Sequence, residues 1–123
     1  MFVRWDRRWR KRSADYALSA YLAKSERIGG KPRQRVVFLA TIREKYLPAP
    51  AHRVIFWDTI LSRLEDFDQR IGASRVGIIA AIEARVPRPD QDELQEAIKA
   101  WHSERPEWPV ADLAQRYRLV LAD

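Results

Sequence analysis

The sequence contains no cysteine and no long apolar run. Without cysteine the chain has no disulfides, no thiol chemistry and no zinc site of the common cysteine type, which fits a reducing compartment. No apolar stretch approaches the ~18 residues that span a bilayer, and the basic N-terminus lacks the apolar segment of a secretory signal. We therefore expect a cytoplasmic protein that does not enter a membrane.

Residues that carry catalysis or bind phosphate groups are also scarce. There are only four glycines, and the adjacent pair Gly29 and Gly30 is a turn signal rather than a phosphate loop. The two histidines, His52 and His102, have no serine or aspartate at a triad-like spacing. Carboxylates between residues 58 and 68 are better explained as a solvated helix face than as a magnesium site, although they keep a small nuclease open as an alternative. We expect a protein that is not an enzyme and holds no metal or cofactor.

Positive charge is abundant and lies in one part of the chain. Of 123 residues, 1–45 carry 13 Lys/Arg against 4 Asp/Glu, a net of +9, whereas 46–123 carry 10 against 13, a net of −3. The length suits one domain, which we divide into a basic β-region (1–45) and a mildly acidic helical region (46–123). Such a basic block favours nucleic acid as partner, ahead of an anionic membrane surface or a merely solubilising role.

Alternating apolar and polar residues predict three strands in the basic region. In the first, Val3, Trp5, Arg7 and Trp9 share one side, while Arg4, Arg8, Arg10 and Arg12 share the other. Gly29 and Gly30 predict a hairpin between the second and third strands. The resulting register pairs Leu22 with Val37, Tyr21 with Phe38, Ala20 with Leu39, Lys24 with Arg35 and Glu26 with Arg33.

A period of 3.6 residues replaces the alternation from His52 onward and predicts helices. The apolar stripe of the first helix comprises Val54, Phe56, Trp57, Ile60, Leu61, Leu64 and Phe67. A second helix is predicted from Ser74 to Val86, and a third begins at Asp90 with Glu93 in the capping-box position. Pro109 is suited to the first turn of a fourth helix. The fold class is therefore α+β, with a small antiparallel sheet followed by three to four helices.

The predicted sheet is apolar on both sides near the base of the hairpin. One side carries Leu18, Leu22, Val37 and Leu39, and the other carries Tyr21, Val36, Phe38 and Ile42. Because the helices cover only one side, we expect either the last helix or a second copy of the chain, in a homodimer, to cover the other.

Arginine and tryptophan are interleaved at the N-terminus, and further basic residues surround the hairpin. Arginine pairs with phosphate through two parallel hydrogen bonds, and aromatic rings stack on bases. A second interpretation of Trp5 and Trp9 is that they simply cap the core. The candidate nucleic-acid-binding residues are Arg4, Arg7, Arg8, Arg10, Lys11, Arg12, Lys24, Arg27, Lys31, Arg33 and Arg35.

The run LSAYLAKSERIGGKPRQRVVFLATI, from Leu18 to Ile42, together with the opening Phe-Val-Arg, resembles the N-terminal β-region of insertion-sequence transposases. In that region two strands flank a Gly-Lys-Pro-Arg-Gln turn, and the second strand ends in Leu-Gly, where this chain has Leu39-Ala40. The resemblance covers residues 2–43 and carries over none of the catalytic carboxylates. It implies a DNA-contacting accessory module of mobile elements, and it favours duplex DNA as ligand.

These observations lead to one main hypothesis and one alternative. The main hypothesis is a non-enzymatic nucleic-acid-binding accessory protein. The alternative is a protein-interaction or inhibitor module whose acidic helical half binds a nucleic-acid-processing complex.

Overall fold

Three consecutive strands form an antiparallel sheet, and the helices follow them along the chain. The structure is a computed structural model and describes residues 1–67, 74–104 and 106. The strands are β1 (Phe2–Arg10), β2 (Asp15–Ile28) and β3 (Lys31–Arg43), in the order β1-β2-β3. A short 3-10 helix (Glu44–Tyr46) leads to α1 (Pro50–Asp66), α2 (Arg75–Glu83) and α3 (Gln91–Glu104). This is the α+β arrangement that the sequence predicts; the fourth predicted helix lies outside the described residues.

The turn between β2 and β3 is made by two glycines with left-handed backbone. Gly29 has φ 62° and Gly30 has φ 78°, and the flanking residues Ile28 and Lys31 are paired. Two successive positive φ angles match the right-handed twist of the strands, and glycine adopts them without a steric penalty. Further down the hairpin, Tyr21 pairs with Phe38 as predicted.

The register shifts at a bulge between Ala20 and Tyr21. Ala20 pairs with Ala40, so the expected pairing with Leu39 is wrong, and Leu39 is the extra residue on β3. The shift also moves Ile42 opposite Leu18 on the buried side rather than to the side of Phe38, where uninterrupted alternation puts it. Leu39 and Ile42 therefore both join the core.

The core lies between one side of the sheet and the helices. The predicted α1 stripe is buried from Val54 to Leu64, and its last member, Phe67, is partly buried against it. α1 packs against β3 and α3, and α2 packs against β1. Trp57 is fully buried, and its indole Nε1 donates a hydrogen bond to the Val86 carbonyl at 3.0 Å, which satisfies its polar atom. Within the described ranges, no helix is long and apolar enough to cross a bilayer.

A buried ion pair ties α1 to the start of α3. The predicted capping box is present: Glu93 N donates to Asp90 Oδ1 at 2.8 Å, and Asp90 N donates to Glu93 Oε1 at 3.3 Å. The guanidinium of Arg53, which is 8% exposed, also pairs with the Glu93 carboxylate and donates to the Pro87 carbonyl at 3.2 Å. One carboxylate thus caps a helix and neutralises a buried cation.

Candidate nucleic-acid interface

The two sides of the sheet differ in what covers them. Leu18, Ala20 and Ile42 point toward the helices and are buried. We call the opposite side the open face. By strand register it carries Phe2, Arg4, Asp6, Arg8 and Arg10 from β1, Ala17, Ser19, Tyr21 and Ala23 from β2, and Val36, Phe38, Thr41 and Arg43 from β3.

The predicted binding residues divide into groups that lie apart. Arg4, Arg8 and Arg10 belong to the open face by register, and Lys11 and Arg12 lie in the turn that follows β1. β1 pairing ends at Phe2 with Ala23, so residues 24–35 project past it as a two-stranded segment that we call the arm. Within the arm, Arg27 lies on the side of the open face, and the other predicted residues lie on the side that faces the helices: Lys24, Lys31, Arg33 and Arg35. The structure therefore separates the predicted set into an open-face group and an arm group.

Arg7 belongs to neither group. Its Nε donates to both carboxylate oxygens of Glu44 at 2.8 Å, and its guanidinium lies 3.5 Å from the centroid of the Tyr16 ring. The hydrogen bond from Arg7 lowers the pKa of Glu44, and the same bond raises the pKa of Arg7. Arg7 thus anchors the 3-10 helix to the sheet.

The arm carries its own counter-charge. Arg35 Nε lies 3.0 Å from one carboxylate oxygen of Glu26, and Lys24 Nζ lies 3.8 Å from the other. These pairs are solvent-exposed, so each adds little to stability, but they reduce the positive potential of the arm.

A cleft of about 690 Å³ opens at the end of the open face nearest the β1–β2 turn. Small side chains, Ala17 and Thr41, contribute to its lining and leave the space unfilled. The cationic side chains that line it are Arg8, Arg10, Lys11, Arg12 and Arg43. Sequence reasoning missed Arg43, because uninterrupted alternation pairs it with Tyr16 on the helix-facing side, and only the bulge brings it opposite Ala17 on the open face.

Acidic side chains neutralise only part of the positive charge of this cleft. Arg43 Nε lies 3.0 Å from Asp15 Oδ2, and a hydrogen bond from Ser13, followed by the bond from Arg43, lowers the pKa of Asp15. Arg8 has a longer contact of 3.6 Å with Asp6. For Arg10, Lys11 and Arg12 the structure shows no ion pair within residues 1–67, 74–104 and 106. The cleft therefore keeps a net positive charge.

The cleft continues into a smaller groove on the same face of the sheet. Both are lined by Arg8, Arg10, Ala17 and Thr41, and the groove ends at Tyr21 and Phe38. The rings of this pair meet edge to face, with centroids 5.6 Å apart. The sequence pattern identified both residues only as part of an apolar side, because ring placement beside the arginines depends on strand register.

The two N-terminal tryptophans occupy different surroundings. Trp5 packs against the core, and the Arg85 guanidinium lies 5.3 Å from its ring. Trp9 is half exposed, meets Tyr16 edge to face at 5.0 Å and borders the cleft. Only Trp9 is thus available beside the cationic cluster.

The fold and this surface define a class: a small α+β protein with a concave, cationic and partly aromatic sheet face. No group of three or more metal-ligating side chains occurs in the part of the chain that the structure describes. No protein-family model matches the chain. Comparisons with curated proteins and with solved structures likewise find no significant match.

Proposed function

We propose that this chain is a non-enzymatic nucleic-acid-binding protein that contacts its ligand through the open face. The observation that carries the proposal is the cleft, where five cationic side chains surround a floor of small residues. A polyanion releases counterions when such cations replace them, which provides most of the affinity of a protein for nucleic acid. Four of the five are arginines, which hydrogen-bond phosphate in two places at once.

The resemblance to the transposase β-region supports DNA as the ligand and an accessory role in mobile elements. It favours duplex DNA, whereas the concave shape of the open face favours a single strand. The arm offers a second contact surface, since its strands project beyond β1 and a two-stranded ribbon can enter a major groove.

The test is binding of fluorescently labelled 20-mers, measured by anisotropy at several salt concentrations. The logarithm of affinity should fall with the logarithm of salt concentration by roughly 0.7 per phosphate contact for a single strand and 0.9 for a duplex. A flat plot, or no binding at low salt, would overturn the proposal.

Two double variants, matched in the charge they remove, locate the site. Arg8→Ala/Arg10→Ala removes two cations from the cleft, and Arg33→Ala/Arg35→Ala removes two from the arm. We expect the cleft variant to lose affinity about tenfold or more and to reduce the salt slope by about two contacts, with unchanged melting. The arm variant should lose much less, because Glu26 already offsets its charge. The opposite ranking would move the site to the arm.

A protein partner is the second candidate, and exposed apolar side chains favour it. Phe2, Val36 and Phe38 on the open face are 45%, 39% and 40% exposed. Contiguous apolar surface of this kind also suits a second copy of the chain. Light scattering over a range of concentrations tests the homodimer: a mass twice that of one chain supports it, and a constant single-chain mass excludes it. A stoichiometric protein recovered from a nuclease-treated extract would support the interaction module instead.

A further inference from the structure

We infer that the open face takes a single strand, with an unpaired base stacked on the Phe38 ring and the neighbouring phosphates in the cleft. This inference rests on the proposed function and specifies its ligand. It begins from the continuity of the surface, since the cationic cleft and the aromatic groove share Arg8, Arg10, Ala17 and Thr41.

The spacing of the two ends of this surface suits an extended strand. Tyr21 and Ala17 lie four residues apart on β2, which corresponds to about 14 Å along the strand. Tyr21 marks the aromatic end and Ala17 the cationic end. Between them Ser19 donates a hydrogen bond to Thr41 Oγ1 at 3.0 Å, so the floor is low and polar and does not block the path.

The aromatic end provides a stacking surface with cations beside it. Phe38 is 40% exposed, and Tyr21 supports the ring edge to face. The Arg63 guanidinium lies over one face of the Phe38 ring, 5.8 Å from its centroid, and adds positive charge beside the aromatic end. Aromatic rings beside cations are the arrangement by which sheet proteins bind single strands without strong sequence preference.

A duplex cannot use these features together. Its bases are stacked on one another, so it has no free base face to offer to Phe38. The groove crosses only three neighbouring strands, a width of about 10 Å at the usual spacing. A duplex could place a phosphate ridge against Arg8 and Arg10 but would leave the aromatic end unused.

The test compares a single-stranded oligothymidine 20-mer with a duplex of the same length by anisotropy at one salt concentration. We expect the single strand to bind at least about tenfold more tightly. Phe38→Leu should weaken single-strand binding by about tenfold, within the range measured for loss of one stacked base, and should leave the salt slope and duplex binding unchanged. Phe2→Leu is the matched control, because it removes an exposed ring from the same face outside the groove.

Phe38→Tyr keeps a ring at this position and should retain binding. Retained binding by this variant would show that the loss in the leucine variant comes from the missing ring and not from substitution at this position. Equal or tighter binding of the duplex, or unchanged single-strand binding by Phe38→Leu, would overturn the inference and leave the proposed function intact, provided that Arg8→Ala/Arg10→Ala still weakens binding. Failure of both oligonucleotides to bind at low salt would instead overturn the proposed function.

Discussion

Two arginines of β1, one on each side of the sheet, meet opposite surroundings. On the side that faces the helices, Arg7 is held by Glu44 and stacks on Tyr16. On the open face, Arg10 lies on the same side of β1 as Asp6, four residues further along the strand. It has no ion pair within the described residues. Both arginines come from β1, so strand alternation alone decides which environment each one meets.

The difference separates residues that hold the fold together from residues that remain available to a ligand. A cation engaged by a carboxylate gains little from a phosphate, because it must first give up its existing partner. A cation in an open cleft loses only water and counterions on binding. Substitutions on the helix-facing side should therefore change stability, and substitutions on the open face should change binding.

The largest expected effect is loss of stability on emptying the core beneath the sheet. Trp57→Ala removes a fully buried aromatic side chain and its hydrogen bond to Val86, and should lower the free energy of unfolding by about 3–5 kcal/mol. Urea denaturation measures this, and Ile55→Ala, at a 45% exposed position on the same helix, is the control and should cost far less. A loss below ~1 kcal/mol for Trp57→Ala would mean that α1 packs differently.

The next largest effect concerns the buried cation between α1 and α3. Arg53→Met leaves the Glu93 carboxylate without its main counter-charge and should cost about 2–3 kcal/mol, somewhat below the usual value for a broken buried pair because Glu93 is 27% exposed. Arg63→Met, at an exposed position of α1, should have little effect on chemical denaturation. Equal stability of the two variants would show that the Arg53 pair contributes nothing net.

Local patterns in the sequence were sufficient to predict most elements of this fold. The alternation of β1, the Gly29-Gly30 turn and the capping box of Asp90 and Glu93 each depend on residues close together in the chain. The bulge was not predictable in this way, because no local signal distinguishes Leu39 as an extra residue from Leu39 as an ordinary strand position. A one-residue shift exchanges the two sides of a strand, so Ile42 was misplaced and Arg43 was missed.

The candidate site was less predictable than the fold for a related reason. Basic composition identifies the arginines but cannot tell that Glu44, 37 residues away, engages Arg7. Nor can it show that Arg8 and Arg10 share a groove with Tyr21 and Phe38. Such contacts are set by tertiary packing between residues far apart in the chain.

Substitution of two glycines should have smaller effects on stability. We expect the protein to lose stability when the glycine is in the arm and to gain stability when it is in α2. Gly30→Ala forces a side chain into a left-handed backbone and should cost about 1–2 kcal/mol, although a Cβ there would meet no atom within 4 Å. Gly77→Ala, inside α2 and equally free of close atoms, should stabilise the protein by about 0.5–1 kcal/mol through improved helix propensity. Thermal melting of the two variants would show a fall and a rise; a fall in both would indicate that Gly77 is needed for close packing.

The smallest expected effect is the acid sensitivity of two arginine–carboxylate pairs, one on each side of the sheet. The folded protein holds the pKa of Glu44 and that of Asp15 below their ordinary values, the first chiefly through Arg7 and the second chiefly through Ser13. A lowered folded pKa stabilises the protein above the ordinary pKa, about 4 for these groups, and this contribution is lost as the pH falls through the folded value.

Glu44→Gln and Asp15→Asn should therefore lower Tm at pH 7, and the difference from the unsubstituted protein should shrink below about pH 4, where the native carboxylates become protonated. Glu83→Gln, at an exposed position on α2, is the control for removal of one negative charge. Arg7 binds both oxygens of Glu44, and Arg43 likewise binds both oxygens of Asp15, so we expect the two variants to show differences of similar size. If the Asp15 variant is the more sensitive of the two, the pair on the open face contributes more to the fold than the pair on the helix-facing side, and Arg43 is then less available to a ligand than its place in the cleft indicates.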